Sequence, residues 1–135
     1  MIYFDTNVLI AVIDEEDPNH KLVRKLPKSG RVTSKLALAE LVSVFSRAGI
    51  DDPLSLSFYS LKLAKAELLD VDFDEVFNMA FKLAPELRLR TLDLLHIAIC
   101  KVIGVDRMAT FDKEIIRRRK TLEGLGVEVS SLTKG

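Results

Sequence analysis

Apolar residues recur along this chain in two rhythms. Short β-branched or aromatic runs alternate with longer stretches of helical period, and polar or Gly/Pro breaks part them. Ile2-Tyr3-Phe4 predicts a first strand. Asp5-Thr6-Asn7 ends it, and Val8–Ile13 predicts a helix that Thr6 or Asn7 can cap. After an acidic loop over 14–17 and Pro18, Asn19–Leu26 predicts a short amphipathic helix. A turn at 27–30 leads to a second strand, Arg31-Val32-Thr33, and Ser34 can cap a helix running to about Arg47. Leu54–Ala66 predicts a helix, Leu68–Val71 a third strand, and Asp74–Leu83 a helix ending before Pro85. Thr91–Ile103 predicts a helix stopped by Gly104, Asp106–Thr110 a fourth strand, Asp112–Leu122 a helix, and Val127–Val129 a fifth strand. Alternating strands and helices imply parallel βαβ units with helices on both faces of one sheet. Two helices, rather than one, separate the second strand from the third and the third from the fourth.

Composition narrows the class. With 135 residues, 48% hydrophobic and 30% charged, one globular domain over 1–135 is expected. The single cysteine, Cys100, excludes an internal disulfide framework and fits a reducing compartment. No basic stretch precedes the first strand, and the apolar run from Leu92 to Ile103 is broken by Asp93, His96 and Lys101, so neither a signal peptide nor a membrane span is expected. A cytoplasmic protein follows from these features.

The acids carry the candidate chemistry. Ligands of open parallel sheets bind beyond the carboxyl ends of the strands. Asp5 ends the first predicted strand, and Thr110-Phe111-Asp112 ends the fourth. Glu40 shares a helical stripe with Leu36 and Val44, so it points toward the interior or its edge. Asp93 and His96 interrupt an otherwise apolar helix, three residues apart. A buried carboxylate is costly unless it is neutralised, paired or bound to a metal. Four carboxylates converging on one cleft would suit a hard divalent ion and metal-assisted attack of water on a phosphodiester. Each acid also has a plainer reading. Asp5 and Asp112 can cap helices, Asp93 can sit favourably in a first turn, and Glu40 can pair with Lys35 or Arg47. His96 reads as a hydrogen-bonded core histidine rather than a ligand.

Four of these elements, in order, resemble PIN-domain ribonucleases, in particular the toxin-type VapC family. They are the strand into Asp5-Thr6-Asn7, the Ala-Glu40-Leu helix, the Asp93-x-x-His96-x-Ala98 helix, and Thr110-Phe111-Asp112-Lys113. The resemblance implies a three-layer α/β/α PIN-like fold with a central parallel sheet of about five strands. It implies Asp5, Glu40, Asp93 and Asp112 as catalytic and metal ligands for Mg²⁺ or Mn²⁺, supported by Thr6, Asn7 and Thr110. It further implies endonucleolytic RNA cleavage leaving a 5′-phosphate and a 3′-hydroxyl, a homodimer, and a small antitoxin protein that blocks the acidic cleft. A member that binds RNA or a partner without cutting, or an RNA-processing nuclease without an antitoxin, is the alternative.

Charge adds where RNA is expected to lie. The chain has 20 basic and 20 acidic residues, which disfavours a general polycation. Residues 82–120 hold ten basic and five acidic side chains, so this stretch is net +5 and the remainder net −5. Arg88 and Arg90 before the Asp93 helix, and Lys113 beside Asp112, are candidates to hold backbone phosphates. Seven Phe and two Tyr are too few for an extended base-stacking platform. A phospho-acceptor receiver domain is the rival from another class. It wants paired acids after the first strand and a lysine after the fifth, whereas here Asp5 stands alone and no lysine follows until Lys134. A two-Asp phosphatase lacks its second acid, since Asn7 stands there. Leu54, Leu56, Phe58, Leu61 and Leu63 are candidates for a dimer interface or for ordinary core.

Overall fold

The computed structural model describes residues 1–131; Lys134 and the rest of 132–135 lie outside the described residues. Five parallel strands form one sheet: β1 (Ile2–Phe4), β2 (Arg31–Thr33), β3 (Glu67–Leu68), β4 (Arg107–Thr110) and β5 (Glu128–Ser131). Their order is β3-β2-β1-β4-β5. Tyr3 is in register with Val32 on one side and Met108 on the other. The chain therefore builds outward from β1 in one direction, then returns and builds outward in the other. The switch lies between β1 and β4, the position at which open parallel sheets bind ligands. A receiver-like order, 2-1-3-4-5, is excluded, because β3 here pairs with β2 at the edge and β4 takes its place beside β1.

Strand alternation divides the core in two. Ile2, Phe4 and Ala109 pack with Val8 and Leu9 of α1 (Thr6–Ile13), Leu41 of α3 (Lys35–Arg47) and Leu61 of α4 (Pro53–Ala64). Tyr3, Val32 and Met108 face the other way, against α5 (Phe73–Leu87) and α6 (Thr91–Ile103), with Ile115 of α7 (Lys113–Arg117) and Leu122 of α8 (Arg119–Gly124). This is the three-layer α/β/α arrangement the sequence implies. The remaining helix, α2 (His20–Val23), is a single turn whose Leu22 and Val23 are buried. No helix among the described residues is long and apolar enough to cross a membrane.

Several boundaries move. The first helix is capped by Asp5, whose carboxylate accepts from Thr6 N–H, rather than by Thr6 or Asn7. Helix α5 continues through Pro85 to Leu87 instead of ending before it. Pro85 is exposed, so the Phe81 carbonyl that loses its bond can turn to water. The predicted helix over 112–122 is two short helices that meet at Arg118, whose backbone is non-helical there. Strand β3 is two residues long and begins one residue earlier than expected. It is an edge strand, where few pairings are needed.

Candidate active site

The acids gather at the carboxyl edge of the sheet, around the switch between β1 and β4. Asp5 follows β1 directly and is buried at 4% exposure. One of its oxygens accepts from Thr6 N–H at 2.8 Å, and the other from the Thr110 hydroxyl at 2.7 Å. The backbone N–H of Asp112 in turn donates to the Thr110 hydroxyl oxygen at 2.9 Å. Asn7 accepts from Phe111 N–H at 3.2 Å, which ties the start of α1 to the end of β4. The polar tripeptide after β1 and the Thr110–Asp112 segment are thus one hydrogen-bonded unit, joined by bonds that span 104 and 105 residues of sequence.

Glu40 reaches this unit from the second turn of α3. Its Oε1 accepts from the Thr6 hydroxyl at 3.0 Å and also meets His96 Nε2. The alternatives of pairing with Lys35 or Arg47 do not occur: Lys35 lies 3.4 Å from Asp70, and Arg47 donates to the Ser43 carbonyl. His96 is buried in α6, with Nε2 3.5 Å from Asp5. Its Nδ1 is 2.6 Å from the Tyr3 hydroxyl, which also bonds Ser34 at 2.8 Å. Ser34 is the N-cap of α3, so the helix that carries Glu40 is anchored to the same chain of contacts. Asp5, Glu40 and His96 each offer one ligand atom, and these lie within 4.8 Å of one another, a spacing that could hold a metal ion.

Asp93 sits in the first turn of α6, one turn before His96, and Asp112 caps α7 by accepting from Glu114 and Ile115 N–H. Both line a cleft of about 400 Å³ together with Arg88, Leu89, Arg90 and Glu114. Two of the three expected RNA contacts therefore share the cleft with two of the acids. Lys113 is exposed at the start of α7 and is not among the residues lining that cleft.

The electrostatics show how closely these charges face one another. Burial, then the charges of Asp112 and Asp5, push the Asp93 carboxyl up to about 6. Burial also raises Asp5, against the opposing pull of His96 and the Thr110 and Thr6 hydrogen bonds. Burial would raise Glu40 too, but the hydrogen bonds and charge of His96, with the Thr6 bond, leave it below its usual value. His96 mirrors this: burial lowers it, yet Glu40, Asp5 and Asp93 together raise it. The oxygen donors are those a hard divalent cation prefers, and the mutual repulsion of Asp5, Asp93 and Asp112 is what such a cation relieves. By this test the residues fit Mg²⁺ or Mn²⁺. The plainer readings coexist with it, since Asp5 and Asp112 do cap helices.

Tyr3 and Glu114 were not singled out by sequence, and Ser34 was read only as a helix cap. A tyrosine in an otherwise apolar strand was the available signal, because a buried phenol needs a partner. The cleft-lining position of Glu114 left no signal.

Comparison with known proteins places the chain. The family model of the PIN domain matches residues 2–121. Ribonuclease VapC46 of Mycobacterium tuberculosis is 35% identical over 125 residues, covering 90% of this chain and 92% of that protein. Ribonuclease VapC23 of the same organism is 31% identical over 118 residues, covering 83% and 93%. Among solved structures, VapBC2 of Rickettsia felis, bound to a DNA fragment from its promoter, shares the fold with a TM-score of 0.66 at 20% identity, over 97% of this chain and 100% of that one. The sarcin–ricin-loop cleaving toxin VapC20 of M. tuberculosis shares it with a TM-score of 0.65 at 17% identity, over 87% and 95%. On the family match and the two relatives above 30% identity, this chain belongs to the PIN-domain family, among its VapC-type ribonucleases.

Proposed function

We propose that this protein is a metal-dependent endoribonuclease and the toxin of a toxin–antitoxin pair. The observation that carries the reading is the convergence of acids from β1, α3, α6 and the end of β4 at the sheet's switch point, in a chain whose relatives are named ribonucleases. Asp5, Glu40, Asp93 and Asp112 would hold Mg²⁺ or Mn²⁺. Such an ion, when bound, polarises a phosphodiester and lowers the pKa of water so that it can attack phosphorus.

The chain's own groups do the positioning. Thr110 and the start of α1 fix both oxygens of Asp5. Thr6 and His96 hold Glu40, and Tyr3 holds His96 from behind. Asn7 ties α1 to the backbone that leads into Asp112. Arg88 and Arg90, lining the cleft beside Asp93, would clamp the phosphates that flank the scissile bond, with Lys113 at the rim. The products would be a 5′-phosphate and a 3′-hydroxyl.

A small antitoxin that covers the acidic cleft is the partner this reading requires. The solved VapBC structures, including the Haemophilus influenzae complex, support it. A homodimer acting in the cytoplasm completes the reading, as does a domain over 1–135. The test is cleavage of a labelled RNA panel in EDTA, Mg²⁺ or Mn²⁺ by the wild type and Asp93→Asn. Metal-dependent cleavage that the substitution abolishes is expected. Equal cleavage by both proteins, or none by either across a broad panel, would reject the assignment.

A further inference from the structure

At the opposite, amino edge of the sheet lies a second concentration of charge, of the other sign. A cavity of about 230 Å³ opens there, lined by Arg24, Lys28, Arg31, Lys65 and His20 together with the apolar Val12, the buried Val23 and the exposed Leu63. These basic residues come from four places: His20 and Arg24 from α2 and its end, Lys28 from the following loop, Arg31 from the start of β2, and Lys65 from the end of α4. No carboxylate lines the cavity among its described residues. Among the described residues, none of its four cations has a carboxylate within 4.0 Å.

Four like charges do not converge without an anion at no cost. The chain is neutral overall, so this is a local surplus and not a background. Arg31 is fixed for the purpose: its Nε donates to the Pro27 carbonyl at 2.6 Å, one Nη to the Ala64 carbonyl at 2.9 Å, and its guanidinium lies over the Phe4 ring at 4.9 Å. Burial alone draws that guanidinium below its usual value, with no acid opposing. His20 is held by Nδ1–H donation to the Ala11 carbonyl at 2.7 Å. Arg24, Lys28 and Lys65 are exposed and extend around this fixed wall. Helix C-termini supply part of the reason for cations here: that effect covers Arg31 and Lys65 at the end of α4 and Arg24 at the end of the single-turn α2, and leaves Lys28.

We propose that this cavity is a phosphate-binding site, distinct from the acidic cleft and on the other edge of the sheet. Two sources present that chemistry: the backbone of an RNA that extends beyond the cleft, and free phosphate or a mononucleotide. The site stands whether or not the chain cuts RNA.

The test uses the full chain in a chloride buffer without divalent cations, so cleavage plays no part. Inorganic phosphate, and separately a single-stranded RNA, are titrated while NMR signals of Arg24, Lys28, Arg31 and Lys65 are followed. The control is Arg24→Ala/Lys28→Ala/Lys65→Asn, which spares Arg31; asparagine tolerates the left-handed backbone of Lys65 (φ 55°). Saturable shifts in the wild type that the variant lacks are expected, with circular dichroism confirming the variant's fold. If RNA moves the same signals, its affinity should fall less steeply with salt in the variant, by about 0.7 in log–log slope per lost contact. That result assigns the site to the RNA backbone. Shifts with phosphate but not RNA assign it to the free anion, and the proposal holds in that form. No saturable shift with either probe, or equal shifts in the variant, overturns it.

Discussion

The two edges of the sheet handle charge in opposite ways. At the carboxyl edge, Asp5, Glu40 and His96 are tied into hydrogen bonds running back through Thr6, Thr110, Tyr3 and Ser34. At the amino edge, Arg24, Lys28 and Lys65 stand on exposed, loosely anchored positions, with Arg31 alone fixed by backbone carbonyls. Buried charge must be oriented by the fold, because an unsatisfied group there costs more than the fold can spare. Exposed charge needs no orientation and is screened by salt. The acidic edge is accordingly a preorganised site and the basic edge an adaptable one. One detail joins them. Among the described residues, the two non-glycine residues with left-handed backbone are Lys65 and Arg88, each closing a helix where glycine is the usual choice, and each lining one of the two charged sites.

If that contrast holds, substitutions at the two edges should differ sharply in cost. The largest effect is expected at the acids: Asp5→Asn or Glu40→Gln should reduce RNA cleavage by orders of magnitude, read as single-turnover rates in Mn²⁺. Next come the groups that only position them. Tyr3→Phe leaves His96 Nδ1 without its partner in the core. It should cost about 2 kcal/mol in urea unfolding and weaken Mn²⁺ binding roughly tenfold. Smaller, and opposite in sign, is Asp93→Asn in EDTA. A carboxyl raised to about 6 destabilises the fold wherever it is ionised. Its neutral replacement should therefore stabilise the metal-free chain by about 1 kcal/mol above pH 6, after allowing for solvent screening of a half-buried group. That gain should fade as the pH drops from about 6 toward 4, the range over which the folded wild type takes up its proton first. Melting temperatures across this range check it. The smallest effect belongs to the basic edge, where Arg24→Ala/Lys28→Ala should change unfolding free energy by no more than about 0.5 kcal/mol.

The same contrast explains what could be read from sequence. The acidic site was legible because its residues fall at strand ends and helix turns, where topology fixes their direction. Asp5 after β1 and the Thr110–Asp112 segment after β4 had to share an edge once the strands were parallel. Glu40 stood out as a carboxylate on an apolar stripe. The brace behind it was not legible: Tyr3 and His96 are 93 residues apart, and nothing local pairs them. The basic cavity went unread although residues 20–65 hold nine basic and three acidic side chains, because only the fold brings Arg24, Lys28, Arg31 and Lys65 to one cavity. Charge counting was directed to 82–120 because Asp93 and Asp112 lie there, and it found Arg88 and Arg90; a surplus without acids of that kind beside it does not show which of its cations share a site. In the fold, Pro85 misled because the rule against internal proline assumes that the lost bond is buried. The exposed Leu54, Phe58 and Leu63 and the buried Leu61 show that α4 serves core and surface at once.

The central claim is that the carboxyl edge is a metal site and the amino edge is not. Calorimetric titration of Mn²⁺ tests it most directly, on the wild type, Glu40→Gln and Arg24→Ala/Lys28→Ala/Lys65→Asn. Saturable binding is expected in the wild type, its loss or severe weakening in Glu40→Gln, and wild-type affinity in the basic-edge variant. Wild-type affinity in Glu40→Gln, or no saturable binding to the wild type, would contradict the account.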